Sequence, residues 1–533
     1  MLNIFTITDL FFFVGTQSIQ YFEQITKANK KYLSQLFIRS KSHKVKTEKV
    51  ETCSDDLSVK TLINSLKKQV EPPNAQDLKS QNIIVEFSSP NIAKPFHVGH
   101  LRSTIIGNYV ANINNFFKNN VTRINYLGDW GTQFGFVQLG LSLAKIPKET
   151  IEKDPINSLY QAYVHANKLT EEDPTIADEA RKLFSKLENG DEQTVAEWEA
   201  FRKYTINELQ NTYQRINVKF DAYEWESSYG ISKISNVLSQ IESLNILTLD
   251  DKNRKVIHLN EKKAVPIIKS DGSSLYITRD IAAAIDRHQK YNFDAMYYVV
   301  DNAQRDHFKN LMSILHSMKL PWADKLKHIN FGKIKGMSTR KGTAVFLQDI
   351  LDETKCVMRK QQLEARNTKV NLDIDHPSTE VLGISAVIVN DLKHKRNQDY
   401  EFDWNTALDI KGDTGVMMQY AHCRLVSLEE NSGAIIASEC DPSFLKEPEA
   451  QNLILHINKF EGAIARSYRE LEPCLLVHYL FQLSHSISRA FKVLRIKGEP
   501  ADVANQRLLL MHVARRVLGQ GMRLLGIQPL DKM

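Results

Sequence analysis

Residues 83–100 read Ile83-Ile84-Val85-Glu86-Phe87-Ser88-Ser89-Pro90-Asn91-Ile92-Ala93-Lys94-Pro95-Phe96-His97-Val98-Gly99-His100. The first five form a short apolar run interrupted only by Glu86, the pattern of a strand covered on both faces, and Ser88 to Asn91 end it with turn chemistry. Beyond the loop, Leu101, Ile105, Tyr109, Ile113 and Phe116 recur at helical spacing. A second apolar run, Val121 to Tyr126, closes in Gly128-Asp129-Trp130-Gly131. Strand, helix and strand within about 45 residues predict a βαβ unit with parallel strands and a right-handed crossover.

The rest of the chain sorts around this unit. Its 533 residues exceed one compact core and suggest several domains. Residues 1–80 end in Glu71-Pro72-Pro73-Asn74, a linker-like stretch. Residues 81–145 hold the first half of an α/β domain, and 146–245, rich in Glu, Lys, Gln and Ala, read as a mostly helical insertion. A second α/β half spans 246–348, with strands near Ala264–Ile268 and Ala295–Val300 around a helix holding Asp280 to His288. Residues 349–405 and 406–533 are almost wholly helical in pattern. The fold class expected is therefore α/β, a Rossmann-type parallel-sheet domain with a helical insertion, followed by an all-α bundle.

Composition excludes several classes. An apolar share of 42% and a charged share of 25% are those of a globular protein. The net charge of +6 suits a polyanionic partner without requiring one. Five scattered cysteines without a CxxC pair argue for reduced thiols and against a zinc knuckle, so no structural metal is expected. No apolar run approaches the ~20 residues needed to cross a bilayer, so no membrane partner is expected. Phe11-Phe12-Phe13-Val14 is short and follows no basic residue, unlike a secretory signal. With Asp9 present and basic residues starting only at Lys27, the N-terminus is also a poor mitochondrial presequence.

Two segments carry phosphate chemistry. His97-Val98-Gly99-His100 lies where a strand-following loop enters a helix, the place where open parallel sheets bind ligands and a helix N-terminus favours anions. Gly99 lets a flat base approach the backbone, and His97 and His100 can donate to phosphate oxygens, with Lys94 just upstream. Alternatively, His97 caps the helix and His100 lies on the surface; zinc is a poor option without a third ligand. The second segment, Gly336-Met337-Ser338-Thr339-Arg340-Lys341-Gly342, follows Lys335 and gathers three cations between two glycines, either for a triphosphate or as a solvated basic turn.

On these residues the chain resembles a known family. His97 to His100 resembles the HIGH signature of class I aminoacyl-tRNA synthetases, and Gly336 to Gly342 stands in the place of KMSKS. Val85 to Lys94, Leu127-Gly128-Asp129-Trp130-Gly131-Thr132-Gln133-Phe134-Gly135, Ser270 to Asp280, and Asp413-Thr414-Gly415 leading into Gln419 to Arg424 resemble arginyl-tRNA synthetases in particular, most like mitochondrial and fungal forms. The resemblance runs from about residue 81 to 533. It implies an arginine pocket lined by Glu86, Phe87, Ser88, Asn91, His97, Tyr276, Asp280 and Gln304. A guanidinium is a rigid fork of donors, best met by carboxylates such as Glu86 and Asp280. It also implies ATP contacts from His97, Gly99, His100, Met337 and Ser338, with Lys94, His97, His100, Arg340 and Lys341 stabilising the transition state. Thr339 replaces the second lysine of KMSKS, and Lys94 is expected to supply the missing cation. Without the resemblance, Asp280 reads as a carboxylate at a helix N-terminus.

The same resemblance makes 406–533 an anticodon-binding domain and residues 1–80 a shortened or divergent tRNA-elbow domain. Tyr420, His422 and Arg424 can stack on or bond unpaired bases, and Arg507, Arg515, Arg516 and Arg523 can track phosphates; a core tyrosine and a solvated basic face are the plain alternatives. Any coupling between tRNA binding and arginine activation is expected to pass through the helices between Asp349 and Trp404. The implied partners are arginine, tRNA(Arg) and ATP as substrate with its Mg²⁺, with no DNA, acting as a monomer, in the mitochondrial matrix or alternatively the cytoplasm. The rival functions are another class I synthetase or nucleotidylyltransferase, and a non-catalytic tRNA-binding relative.

Overall fold

The computed structural model describes residues 56–92, 96, 98–270, 272, 274–336, 346–365, 370, 376–409 and 412–533. Helix α1 (Asp56–Lys68) comes first. Strand β1 (Asn82–Glu86), helix α2 (Val98–Phe116) and strand β2 (Asn120–Leu127) then form the expected βαβ unit, with β1 and β2 parallel in the register Ile84↔Thr122. Ile83, Ile84 and Val85 are each at most 1% exposed, which is why the run lacks the alternation of a half-covered strand.

Helices α3 (Thr132–Leu143), α4 (Lys148–Lys153), α5 (Pro155–Glu172), α6 (Thr175–Glu188) and α7 (Glu192–Arg215) follow. They close on their own core of Phe134, Leu159, Leu187, Trp198 and Phe201. The helical stretch stops at Arg215. Ala222–Trp225 is strand β3 and pairs parallel with β2, so the sequence reading of 146–245 missed a strand of the main sheet. Its four residues are all half-buried, and a strand that short leaves little periodicity to read.

Helix α8 (Ile231–Ser243) leads into β4 (Leu247–Leu249), β5 (Lys255–Asn260) and β6 (Lys263–Ile268), a separate antiparallel sheet. The expected strand at Ala264–Ile268 therefore exists but lies outside the parallel sheet. Helix α9 (Tyr276–Tyr291), strand β7 (Ala295–Tyr298), helix α10 (Arg305–Ser317) and strand β8 (Leu326–His328) complete the catalytic half. The parallel sheet has the order β3-β2-β1-β7-β8. The chain leaves β1 toward β2 and β3 on one side and returns to β7 and β8 on the other. Between β1 and β7 lies the topological switch point, where loops from adjacent strands part and open a crevice at the carboxyl edge.

Strand β9 (Ile334–Lys335) pairs with β10 (Tyr400–Glu401), and between them run α11 (Leu347–Glu364) and α12 (Pro377–Leu392). Almost every side chain of α12 is buried, because the helix packs against α2 and α11 as well as against the C-terminal bundle. After α13 (Trp404–Ala407), the bundle consists of α14 (Gly415–Asn431), α15 (Pro448–Asn458), α16 (Phe460–Glu470), α17 (Pro473–Val493) and α18 (Ala501–Leu524). Gly415 permits the α12–α14 contact: a Cβ there would stand 2.1 Å from the Ser385 carbonyl oxygen. Helix α1 docks on this bundle. Lys67 donates to the carbonyls of Ala437 and Ser438 at 2.7 and 3.0 Å, and the Asn64 side chain accepts from Cys440 N–H at 2.9 Å.

The two signature regions are joined by Arg102, which is 1% exposed one turn into α2. Its Nη1 donates to the carbonyls of Gly332 and Gln398 at 2.6 and 2.8 Å, and its Nε faces Asp391 at 3.1 Å. Burial raises the Asp391 carboxyl to about 6, against the pull of Arg102. Because this folded-state value lies above that of the unfolded chain, protonation favours the fold as pH falls through it. Arg102→Gln leaves Asp391 buried without its cation and is expected to cost about 3–5 kcal/mol at pH 8. At pH 5 the loss should shrink, since Asp391 can take up a proton. Denaturant unfolding at both pH values checks this, and equal losses would contradict it.

Candidate active site at the switch point

At the carboxyl end of β1 the backbone turns sharply, with φ of +73° at Ser88 and +47° at Ser89. Side-chain residues rarely hold such angles, and here hydrogen bonds over-determine them. Ser88 N–H donates to Ser103 Oγ at 2.9 Å and Ser89 N–H to Asn125 Oδ1 at 3.0 Å. The Ser88 hydroxyl lies 2.7 Å from the Tyr213 hydroxyl and accepts from Thr104 at 2.8 Å. Asn125 in turn donates to Tyr213 at 2.9 Å. The side chain of Ser88, expected in the arginine pocket, is thus turned into the core. So is Phe87, 0% exposed with its ring 4.5 Å from that of Phe220. In this structure both side chains serve packing.

Glu86, at the last position of β1, is buried and forms an ion pair with Arg287 of α9. Burial raises its carboxyl to about 7; Arg287 opposes the rise, while Asp280 and Glu224 add to it. Asp280 lies one turn into α9, three-quarters buried, with Oδ2 2.5 Å from His307 Nε2 of α10. The structure therefore brings Glu86 and Asp280 into one acidic niche. Tyr276, one turn before Asp280, is 69% exposed. Asn91 is half-buried and bridges to Gly128 at the end of β2. Gln304 is exposed in the loop after β7, across the switch point from β1.

The two segments expected to bind phosphate approach the same edge. Gly99 is exposed in the first turn of α2, and the His100 ring stands 5.4 Å from that of Phe96. Leu347 N–H donates to the Phe96 carbonyl at 2.7 Å, so the chain leaving the basic loop returns beside the first signature. The chain approaching that loop, Gly332 to Gly336, is held to α2 by Arg102. Both ends of the loop are therefore pinned to the first signature. Lys94, His97, Met337, Ser338, Arg340 and Lys341 lie outside the described residues.

In the bundle, Tyr420 is 46% exposed and Arg424 lies over the rings of Phe491 and Tyr420 at 4.2 and 5.5 Å. With Lys497 and Lys532 they line a groove of about 880 Å³. His422 does not join them: it is 2% exposed, and its Nδ1 lies 2.8 Å from the Leu530 carbonyl, so base stacking is closed to it. Arg507 and Arg515 are engaged by Glu447 and Glu429 at 2.5 and 2.7 Å, which removes them from the proposed phosphate track. Arg523 stays exposed.

Comparison with known proteins bears on this site directly. Residues 61–404 match the family model described as "tRNA synthetases class I (R), catalytic domain", and 418–533 match the "DALR anticodon binding domain". The chain belongs to the class I arginyl-tRNA synthetases. It is thus an aminoacyl-tRNA synthetase, an arginine–tRNA ligase that uses ATP. Among curated synthetases it is 41% identical to the probable mitochondrial arginine–tRNA ligase of Bos taurus, over 86% of this chain and 79% of that protein. It is also 41% identical to the cytoplasmic arginine–tRNA ligase of Saccharomyces cerevisiae, over 86% and 77%. The arginyl-tRNA synthetase structure from Plasmodium falciparum aligns with a TM-score of 0.74 at 28% identity, covering 90% of this chain and 82% of that one.

Sequence reading missed Arg102, Tyr213, Glu224, Arg287 and His307 in this synthetase. A signal existed for Arg287: it follows Asp280 by seven residues, two turns along one helix face, among the buried Ile281, Ala283 and Ala284. A lone arginine on such a face needs a buried carboxylate. Tyr213→Phe is expected to destabilise the protein by about 1–3 kcal/mol, since Ser88 and Asn125 lose a shared partner in the core. Thermal or denaturant unfolding measures it, and an unchanged midpoint would remove Tyr213 from the scaffold of the turn.

Proposed function

We propose that the enzyme activates arginine with ATP in the crevice between β1 and β7, then transfers it to the terminal adenosine of tRNA(Arg) in the same site. The single observation carrying this reading is the anchoring of both ends of the basic loop to the first signature, beside the niche of Glu86 and Asp280. The arginine carboxylate attacks the α-phosphorus of Mg·ATP and pyrophosphate leaves. His97, His100, Lys94, Arg340 and Lys341 are assigned to the developing charge, and Gly99, Met337 and Ser338 to the nucleotide. Glu86, Asp280 and Tyr276 are assigned to the guanidinium, with Asn91 and Gln304 at the amino-acid end. No side chain needs to become covalently attached, because positioning and electrostatics lower this barrier.

Lysine, a single ammonium, cannot satisfy carboxylates arranged for a fork, and the acceptors left unpaired penalise it. Tyr420 and Arg424 are assigned to unpaired bases of the tRNA loop, which single-stranded RNA readers stack on aromatic and guanidinium planes. The enzyme is proposed to act as a monomer. Its compartment is proposed as mitochondrial on the motif resemblance, and charging of organellar against cytosolic tRNA pools is the test.

Amino-acid-dependent pyrophosphate exchange, run across amino acids with and without tRNA, tests the activity; exchange with arginine alone among them is expected. Asp280→Ala should abolish arginine use while ATP still binds, and retained charging would remove Asp280 from the pocket. His100→Ala should slow adenylate formation by about 10²-fold or more with arginine KM nearly unchanged. An unaltered rate would detach the helix start from the chemistry.

A further inference from the structure

Arg287 is among the largest fully buried side chains, 1% exposed on α9. A buried guanidinium survives only if its partners satisfy it. One arm, Nη1, meets Glu86 Oε2 at the end of β1, and Nε donates to Glu224 Oε2 of β3 at 2.7 Å. The fork therefore spans the strand between them, with its carbon 4.9 Å from the Tyr126 ring of β2. Glu224 has other partners: the Tyr291 hydroxyl at 3.3 Å and, more distantly, the half-exposed Lys290 at 3.9 Å.

The charge balance is what distinguishes this arrangement from an ordinary core ion pair. Glu86 and Glu224 flank one fully buried cation, and Asp280, set against His307, adds a further carboxylate on the Glu86 side, whereas Glu226 nearby is matched by Arg279 at 2.6 Å. The niche keeps a surplus of negative charge. We infer that Arg287 is a positioning residue for arginine recognition: its fork holds the Glu86 carboxylate fixed at the end of β1 and opposes its protonation, so that the second oxygen can receive the substrate guanidinium. The inference rests on the reading of Glu86 as an arginine ligand.

Electrostatics explain why a holder is needed. The groups around Glu86 are Arg287 and Asp280 from α9, Glu224 from β3, Tyr126 from β2 and Tyr298 from β7, with Tyr229 beside Arg287. Only Arg287 among them favours the carboxylate; burial and the neighbouring acids favour the protonated form. A protonated Glu86 offers a neutral acceptor, and a guanidinium bound to it loses the attraction of an opposite charge.

Three variants test this in the full-length enzyme, by arginine KM and kcat across pH 6.5 to 9, with Tm as a check on folding. Arg287→Gln should raise arginine KM about tenfold or more, most at the acid end, with kcat and ATP KM within about threefold. Arg287→Lys keeps the charge without the fork, so it should restore the shape of the pH profile while leaving arginine KM raised. If Arg287→Gln does not fold, Arg287→Lys still decides: a wild-type arginine KM at every pH in that variant overturns the inference. Glu86→Gln separates the two levels. If it raises arginine KM while both Arg287 variants leave it unchanged, only the role of Arg287 fails; if Glu86→Gln itself leaves arginine KM unchanged, the pocket reading fails first.

Discussion

One guanidinium fixes the working geometry of this enzyme. Arg102 leaves the first signature helix and ties it to two backbone carbonyls and one carboxylate, drawn from the segment before the basic loop, the segment after α12, and α12 itself. The parallel sheet carries the chain as far as Phe331 through its bridge to Asp301, and Arg102 then holds Gly332 against the signature helix. Arginine suits the task since its donors diverge in a plane and its charge does not depend on pH. The two signature segments are thus held in register by the core.

The second organising feature is a controlled imbalance of charge under the crevice. Buried carboxylates normally occur with equal numbers of partners, because an unmatched ion in a poorly polarisable interior is costly. Here Glu86 and Glu224 share Arg287, Asp280 lies near Glu86 as well, and the carboxyl of Glu86 is pushed upward by its burial. A folded protein tolerates such a deficit where a cationic ligand completes it. The strained turn at Ser88 and Ser89 lies beside Glu86, its positive φ angles held by Ser103 and Asn125.

Helix α12 links this crevice to the RNA-binding half. Asp391 near its end faces Arg102, while the hydroxyl of Ser385, two turns earlier, accepts from Gln419 of α14. Gln419 also binds the C-terminal tail, donating to the Gln528 carbonyl and accepting from Leu530 N–H. The bundle therefore reaches the signature helix through α12, in the region between Asp349 and Trp404, and also directly, where the Tyr109 hydroxyl of α2 meets that of Ser467 in α16 and α18 packs against α2.

Local pattern was enough for the βαβ unit at residues 83–126, the apolar helix faces and the helical character beyond Asp349, since each depends on neighbours in sequence: runs, periods of 3.6 and turn residues. The motifs around Glu86, Asp280 and Asp413 were specific enough to mark the family. Tertiary structure alone decided which strands share a sheet, placing Ala222–Trp225 inside and Lys263–Ile268 outside, because pairing depends on partners far along the chain. It alone decided the direction of side chains: Ser88, Phe87 and His422 point inward, and Arg507 and Arg515 are matched by glutamates from other helices. Residue type and spacing name what a side chain can bond to, and only the packed core determines which partner comes within reach.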